Sequence, residues 1–506
     1  MISGLLMPYQ REAAERIASA RSMLLADQPG LGKTFTSLGA LELSGVLTPG
    51  SVSLIAGPVI TCDTAWLPTL KKQMPEVNAI DGFSGSRVQR DKRIRKLLRD
   101  DVANVVVTNH HSVGMASSGK AHLPVLFERG LAAIVIDESH EVLPMTYNFA
   151  SEATEFWRGL FALSDANLGC LRLAISGTPD RGKHHYRLGT WRFLMPVVLS
   201  PDRVKYQDWL KKHFYTYLVD MPTVKNGRRF NVKVQKVGQM LDPVKWAQVD
   251  AALMVRRTKS EVAQQLPAKQ YVDVDIALPD HLNKSYIDFI NDCEGKGDFS
   301  QQNALVMALR SMQFAICDWS YDRDGVLQPI DKGASAKRDW LVAWMRARGI
   351  GVEAVGTKVV VSSQFTKVLN WLKKELSYEG IEADILSGET SPVRRKEIQE
   401  RFQDPDSALR VVLLSSTLGV GIDLDAADDL IFVDIPRNPD VQEQVEDRVH
   451  RVSRVHQVTI WRLRSRGTID VAISAKNDET FQETRSLMDG VREVDFERRI
   501  LARIGV

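Results

Sequence analysis

The stretch SMLLADQPGLGKTF, residues 22–35, decides how this chain is read. A short apolar run ends in a loop containing Gly30 and Gly32, after which Lys33 and Thr34 open a segment with helical spacing. Glycines let backbone N–H groups approach phosphate oxygens, and the start of a helix adds positive potential. The lysine reaches the outer phosphates and the threonine hydroxyl a Mg²⁺ ion. The candidate ATP-binding residues are therefore Asp27, Gly30, Leu31, Gly32, Lys33 and Thr34, with Asp27 standing where the strict pattern has glycine.

Outward from this loop, apolar runs recur: SVSLIAG (51–57), NVVVTN (104–109), AAIVIDES (132–139) and LRLAISGTP (171–179). None alternates strictly, which is the pattern of parallel strands buried on both faces. Helical spacing over 8–20, 34–43 and 87–99 separates them and predicts a doubly wound α/β layer. The texture returns in KVVVSSQF (358–365), EADILSG (382–388), LRVVLLSS (409–416), DLIFVDIP (429–436) and VTIWRL (458–463). Between the two halves, FYTYLVDMPTV (214–224) and RFNVKVQKV (229–237) flank Asn226-Gly227, a β-hairpin signal. The expected layout is a first lobe over 1–265 with a hairpin near 215–237, a helical insertion over 266–345, and a second lobe over 346–506.

Composition sets limits on this reading. Sixty-six Lys and Arg against 63 Asp and Glu leave a net charge of +3, which excludes a histone-like or acidic-tail protein. With 44% apolar residues in 506, wholesale disorder is excluded. No apolar run reaches the ~18 residues of a membrane span, and the first residues lack the pattern of a signal peptide. Four cysteines without a C-x-x-C pair argue against a disulfide framework or a zinc site. The expected location is the cytoplasm of a bacterial or phage-infected cell, and a monomer is the default.

IVIDESH places Asp137 and Glu138 at the end of a buried strand, where open α/β sheets bind ligands. Asp137 suits a Mg²⁺ ion and Glu138 a base that orients the attacking water.

The ordered series DQPGLGKT, DESH, SGTP (176–179) and QVEDRVHR (444–451) resembles motifs I, II, III and VI of superfamily 2 helicases. LMVRRTKSEVAQQLPAK (253–269), SGETSPVRRKEIQERF (387–402) and ADDLIFVDIPRNPDVQEQVEDRVHR (427–451) are similar to stretches of the SNF2 group. The resemblance spans about residues 5–465 and implies two RecA-like lobes with ATP and Mg²⁺ held in the cleft between them. It further implies that Gln10 reads the adenine, that Arg448 and Arg451 reach the γ-phosphate, and that His140 and Gln444 couple the lobes. Three departures stand out: Ser139 in motif II, a motif V loop (SSTLGVGIDLDAAD) one residue shorter than usual, and Ser453-Arg454 after motif VI.

The resemblance also places DNA-backbone contacts at Thr108, Ser176, Ser363, Ser416 and Thr417. Such contacts position a protein without reading sequence. Two basic clusters join them. Arg87, Arg90, Lys92, Arg93, Arg95, Lys96 and Arg99 read either as a solvated face or as a DNA contact. Lys225, Arg228, Arg229, Lys233 and Lys236 mark the hairpin either as a solvated ribbon or as a wedge for branched DNA. The expected function is an ATP-dependent DNA translocase of the compact fork-remodelling or phage branch-migration type, because only about forty residues follow Arg464. The rivals are a DExH-type RNA helicase, the motor subunit of a restriction or defence system, and a non-hydrolysing nucleotide-gated DNA clamp.

Overall fold

The computed structural model describes residues 2–116, 118–143, 155–177, 179, 187–196, 208, 210–225, 228–262, 267–295, 301–324, 326–351, 357–418, 422–451 and 456–488. The chain divides into two compact units, Met1–Val262 and Ala263–Val506.

In the first unit the apolar runs become β1 (Ser22–Leu25), β2 (Val52–Gly57), β3 (Asn78–Asp81), β4 (Asn104–Asn109), β5 (Ala133–Ile136) and β6 (Leu171–Ile175). The hairpin strands β7 (Phe214–Lys225) and β8 (Arg228–Met240) follow, and then β9 (Met254–Val255). Seven strands form one parallel sheet in the order β3-β4-β2-β5-β6-β1-β9. Successive residues face opposite cores: Leu24, Leu54, Val106, Ile134 and Ala174 lie in one cluster, and Leu25, Ile55, Val107, Val135 and Leu173 in the other. At about 1.5–3 kcal/mol for each large apolar side chain removed from water, the absence of alternation in these runs is what stabilises a two-sided layer.

The register sets where the site lies. Leu25 pairs with Ile175 and with Val255, and Ile136 pairs with Ala174. Residues 26–32, 137–138, 176–177 and 256–257 therefore all leave the sheet at the carboxyl ends of its strands.

The second unit repeats the architecture with β10 (Gln270–Ile276), β13 (Val359–Ser363), β14 (Ala383–Leu386), β15 (Val411–Ser415), β16 (Asp429–Phe432) and β17 (Thr459–Ser465), after a small ribbon of β11 (Trp319–Tyr321) and β12 (Leu327–Pro329). The sheet is parallel in the order β10-β17-β16-β13-β15-β14. Val361, Leu413 and Ile431 face one core, and Val360, Val412 and Leu430 the other. The described residues of 267–345 are built into this unit rather than standing apart as an insertion. β10 is an edge strand of its sheet, and Cys317, Trp319, Leu341 and Met345 belong to its core.

β7 and β8 pair antiparallel from Phe214↔Met240 to Lys225↔Arg228, with a shift in register between Phe214 and Thr216. Asn226 and Gly227 lie outside the described residues. Among those residues, no helix is long and apolar enough to cross a membrane.

One close approach fixes the helix Glu155–Ala166 against the turn after β4. A Cβ on Gly159 would stand 1.9 Å from the Val113 carbonyl oxygen. Alanine in place of a mid-helix glycine gains about 1 kcal/mol in propensity, but overlap with backbone this close lies at the upper end of the ~1–3 kcal/mol cost of overpacking. Gly159→Ala is expected to show a net loss of about 1–2 kcal/mol, measured as a lower urea midpoint.

Candidate nucleotide site and nucleic-acid contacts

Gly30 and Gly32 hold φ of 85° and 74°, the left-handed region that other residues avoid, and Gly32 leads directly into the helix Lys33–Leu43. Gly32 is required for a second reason: a Cβ there would lie 2.4 Å from Gln10 Nε2. Gln10 is buried, donates to the Leu31 carbonyl at 3.1 Å, and accepts from the Met7 amide at 3.0 Å. The expected adenine reader is thus also a brace for the loop, joined by the Tyr9 hydroxyl on the same Leu31 carbonyl at 3.2 Å. Lys33 Nζ donates to the Asp27 carbonyl at 3.0 Å, and Thr34 sits half-buried in the first turn of the helix.

Asp27 is a correction to the sequence reading. Its side chain is fully buried and forms a two-pronged ion pair with Arg257, with Nε to Oδ1 at 3.0 Å and Nη2 to Oδ2 as the second contact. A carboxylate engaged in this way braces the loop. Neighbouring contacts reinforce the latch. Arg256 Nη1 donates to the carbonyls of Ala26 (2.9 Å) and Gly177 (3.3 Å), Gln28 N to the Arg257 carbonyl (3.0 Å), and Lys259 N to Gln28 Oε1 (2.7 Å).

Asp137 is also buried, and both carboxylate oxygens are fixed: Trp66 Nε1 donates to Oδ2 at 2.8 Å and the Glu138 amide to Oδ1 at 2.9 Å. Glu138 takes φ 44° and ψ 47°, a left-handed backbone, and its Oε2 lies 3.4 Å from His140 Nδ1. The same His140 nitrogen is 2.9 Å from Ser176 Oγ, so motif II touches motif III through one buried imidazole. His110 Nε2 meets the Asp137 carbonyl at 2.7 Å, and burial pulls the His110 pKa below its usual value. Nearby Cys62 is held inert, its thiol pushed up to about 12 by burial first and by Asp137 second. The contacts of Trp66 and His110 with Asp137 carried no signal in the sequence, because only the placing of β2 between β4 and β5 brings them together.

In the second unit, Gln444 and Arg448 lie on the helix Pro439–Val449. Gln444 is half-buried and Arg448 buried, with Nη2 donating to the Leu418 carbonyl. Burial first and Arg451 second lower the Arg448 pKa to about 10, opposed by Asp423, so the guanidinium remains a cation at neutral pH. Arg451 pairs with Asp423 of the motif V stretch. The helix is anchored by Lys269, which reaches Glu446 at 2.9 Å and Asp447 at 3.1 Å, by Tyr271 on Glu446 at 2.7 Å, and by His450 Nε2 at 2.8 Å from the Pro267 carbonyl. Gly419–Gly421 and Ser453-Arg454 lie outside the described residues.

The hydroxyls expected on DNA need a further correction. Thr108 is fully buried and donates to the Gly82 carbonyl at 2.7 Å. Ser176 is fully buried against His140, and Ser363 is buried and accepts from the Phe365 amide at 3.1 Å. These strand-end hydroxyls tie the sheets to their loops. Ser416 is also buried, whereas Thr417 is exposed, with its hydroxyl 2.9 Å from Ser415 Oγ. Arg228 and Arg229 open β8, and their side chains lie outside the described residues. Three of the seven basic residues on and just beyond the helix Arg87–Leu97 pair with acids: Arg93 with Asp81 (3.1 Å), Arg95 with Asp91 (2.7 Å) and Glu128, and Arg99 with Asp101 (2.6 Å). Exposed pairs of this kind add little stability, and they offset the positive field at these three residues only.

A glycine loop, a fixed carboxylate pair and a basic latch at the carboxyl edge of one parallel sheet define a P-loop nucleotide-binding lobe, and a second parallel lobe carries buried arginines. The SNF2-related domain family matches residues 9–318 and the helicase conserved C-terminal domain family matches residues 340–453. The chain belongs to the SNF2-related family. It is 24% identical to the SWI/SNF-related matrix-associated actin-dependent regulator of chromatin subfamily A containing DEAD/H box 1 homolog of Caenorhabditis elegans, over 93% of this chain and 50% of that one. It is 26% identical to the ATP-dependent DNA helicase DDM1 of Arabidopsis thaliana, over 94% of this chain and 60% of that one. The chain spans about half the length of the curated relatives it matches. Among solved structures, the Sulfolobus solfataricus SWI2/SNF2 ATPase core in complex with dsDNA is 21% identical, covering 96% of this chain and 92% of that one with a TM-score of 0.39.

The latch gives a direct test. Arg257→Ala would strand the Asp27 carboxylate without its partner, a change that costs about 3–5 kcal/mol for a buried pair. Arg257→Ala with Asp27→Ala is expected to recover a substantial part of that loss, seen as non-additivity in a denaturant double-mutant cycle.

Proposed function

We propose that this chain is an ATP-driven motor that tracks along duplex DNA. The observation that carries this reading is the convergence at one sheet edge of Lys33, Thr34, Asp137 and Glu138, braced by the Arg256–Arg257 latch. Membership of the SNF2-related family supports it.

Oxygen donors suit Mg²⁺, and the donor set here fits that ion: the Thr34 hydroxyl opens the helix, and the Asp137 carboxylate is oriented by Trp66 and the Glu138 amide. Bound there, Mg²⁺ would neutralise charge on the β- and γ-phosphates. Lys33 reaches the same phosphates. Glu138 accepts a proton from the attacking water, and its backbone conformation directs the carboxylate towards His140. For Gln10 to read adenine, its amide exchanges the Leu31 carbonyl for the base. Arg448, still a cation at neutral pH, compensates the charge of the transferring phosphoryl group together with Arg451, a role worth on the order of 10³–10⁵ in rate. His140 and Ser176 relay the state of the carboxylate pair to motif III, and Gln444 on the Arg448 helix serves the same coupling. DNA is gripped through its phosphates, without base specificity.

Glu138→Gln is expected to retain ATP binding and lose about 10²–10⁴ in hydrolysis, measured as phosphate release with saturating duplex DNA. Unimpaired hydrolysis would remove Glu138 from the role of base.

The finer reading is that the motor works on forks or junctions, with the β7–β8 ribbon at the branch point. Its support is a ribbon with strands of 12 and 13 residues and Arg228 and Arg229 at the first two positions of β8. ATP hydrolysis is measured with single-stranded DNA, linear duplex, forked DNA, a four-way junction and RNA. Strongest stimulation by forks or junctions is expected, and RNA-only stimulation would overturn the DNA reading. Arg228→Ala with Arg229→Ala should impair processing of branched DNA and spare hydrolysis on linear duplex; equal loss of both rejects the wedge.

A further inference from the structure

Away from the nucleotide loop, three side chains gather where β4 ends. His111, His122 and Glu155 each offer one ligand atom, and these atoms lie within 4.8 Å of one another. They arrive from separate elements: His111 from the turn His110–Val113, His122 from just beyond the Met115–Ala121 bridge, and Glu155 from the start of the helix Glu155–Ala166.

His122 is the informative member. Its side chain is 2% exposed, and Nδ1 sits 2.8 Å from the His111 carbonyl, a contact that requires the proton on Nδ1. With the ring neutral, Nε2 turns its lone pair to Glu155 Oε2, 3.0 Å away. Nε2 is buried and makes no hydrogen bond, so no well-aligned proton bridges the two atoms. The ring is also held in place, because a Cβ on Gly114 would stand 2.8 Å from Nδ1. Two electron-pair donors fixed face to face at this distance call for a shared cation. A backbone carbonyl on the far nitrogen of an imidazole is the arrangement that orients histidine ligands in metal sites.

We propose that His111, His122 and Glu155 form a binding site for a divalent transition metal ion of the zinc class. Two imidazoles and a carboxylate suit Zn²⁺, whereas Mg²⁺ and Ca²⁺ prefer all-oxygen shells. Zn–N bonds of about 2.1 Å bring tetrahedral ligands to about 3.4 Å from one another. His111 is exposed and the Glu155 side chain 45% exposed, so both have room to close on His122. Arg87 Nη2 lies 2.5 Å from His111 Nε2, and this exposed side chain is the competitor the ion displaces. A bound ion would clip the helix after motif II to the turn that begins with His110, whose Nε2 meets the Asp137 carbonyl.

The test uses the whole chain, stripped with chelator and free of nucleotide. Co²⁺ is titrated while visible absorption is followed, Zn²⁺ is then added in competition, and thermal unfolding is recorded with each ion. One equivalent of Co²⁺ with ligand-field bands, displaced by Zn²⁺ and not by Mg²⁺, is expected, together with a higher unfolding temperature. His111→Ala and Glu155→Gln change partly exposed groups and should fold normally, yet bind Zn²⁺ about 10-fold more weakly or worse. The proposal is overturned if the unaltered chain binds neither ion, or if both variants match its stoichiometry and affinity.

Discussion

The ion pair between Arg257 and Asp27 is the constraint on which the first unit depends. Asp27 has no exposed surface, and a carboxylate left alone there would carry the full penalty of a buried charge. Only a guanidinium presenting Nε and one Nη together satisfies both oxygens, a geometry that lysine cannot supply. Because 230 residues separate the partners, the pair forms only after the chain has passed through five strands and the hairpin and returned as β9 beside β1. The phosphate loop is therefore completed from its far side, by the residues that leave the first unit.

The same stretch of chain performs a second task a few residues later. Residues 254–259 hold the glycine loop within the first unit, and Pro267, Lys269 and Tyr271 hold the helix of Arg448 within the second. The Lys269 side chain is half-buried, and two carboxylates on the Arg448 helix raise its pKa against the opposing effect of burial, the larger single influence. One segment thus grips the loop proposed to bind phosphate and the helix proposed to bring the arginines to it.

The layers were legible in the sequence because parallel strands buried on both faces cannot hide their composition: Val105–Val107 and Val359–Val361 are fully buried, as their unbroken apolar runs require. The glycine loop and the Asp137–Glu138 pair were legible because phosphate chemistry needs few residue types in a fixed order. What lay beyond reading was partnership. Asp27 stood out as a departure from a pattern, and its reason sits on β9's continuation. Thr108, Ser176 and Ser363 have the right atoms for phosphate and the right places in the chain, yet burial assigns their hydroxyls to internal partners. The arginines of residues 87–99 looked like a field of charge because Asp81 and Glu128, which answer two of them, come from outside that segment.

Glu138 sits in a conformation that costs an L-residue about 1–2 kcal/mol and that glycine adopts freely. Its backbone and its carboxylate therefore pull in opposite directions: the side chain proposed for chemistry occupies a position where having no side chain would be more comfortable. In a lineage released from the need to hydrolyse ATP, stability alone favours exchange of glutamate for glycine at this position, and the reverse change is disfavoured unless activity is demanded again. The first mark of a retired motor would then be a fold slightly firmer than that of its working ancestor, with its lobes, latch and phosphate loop intact around a missing base.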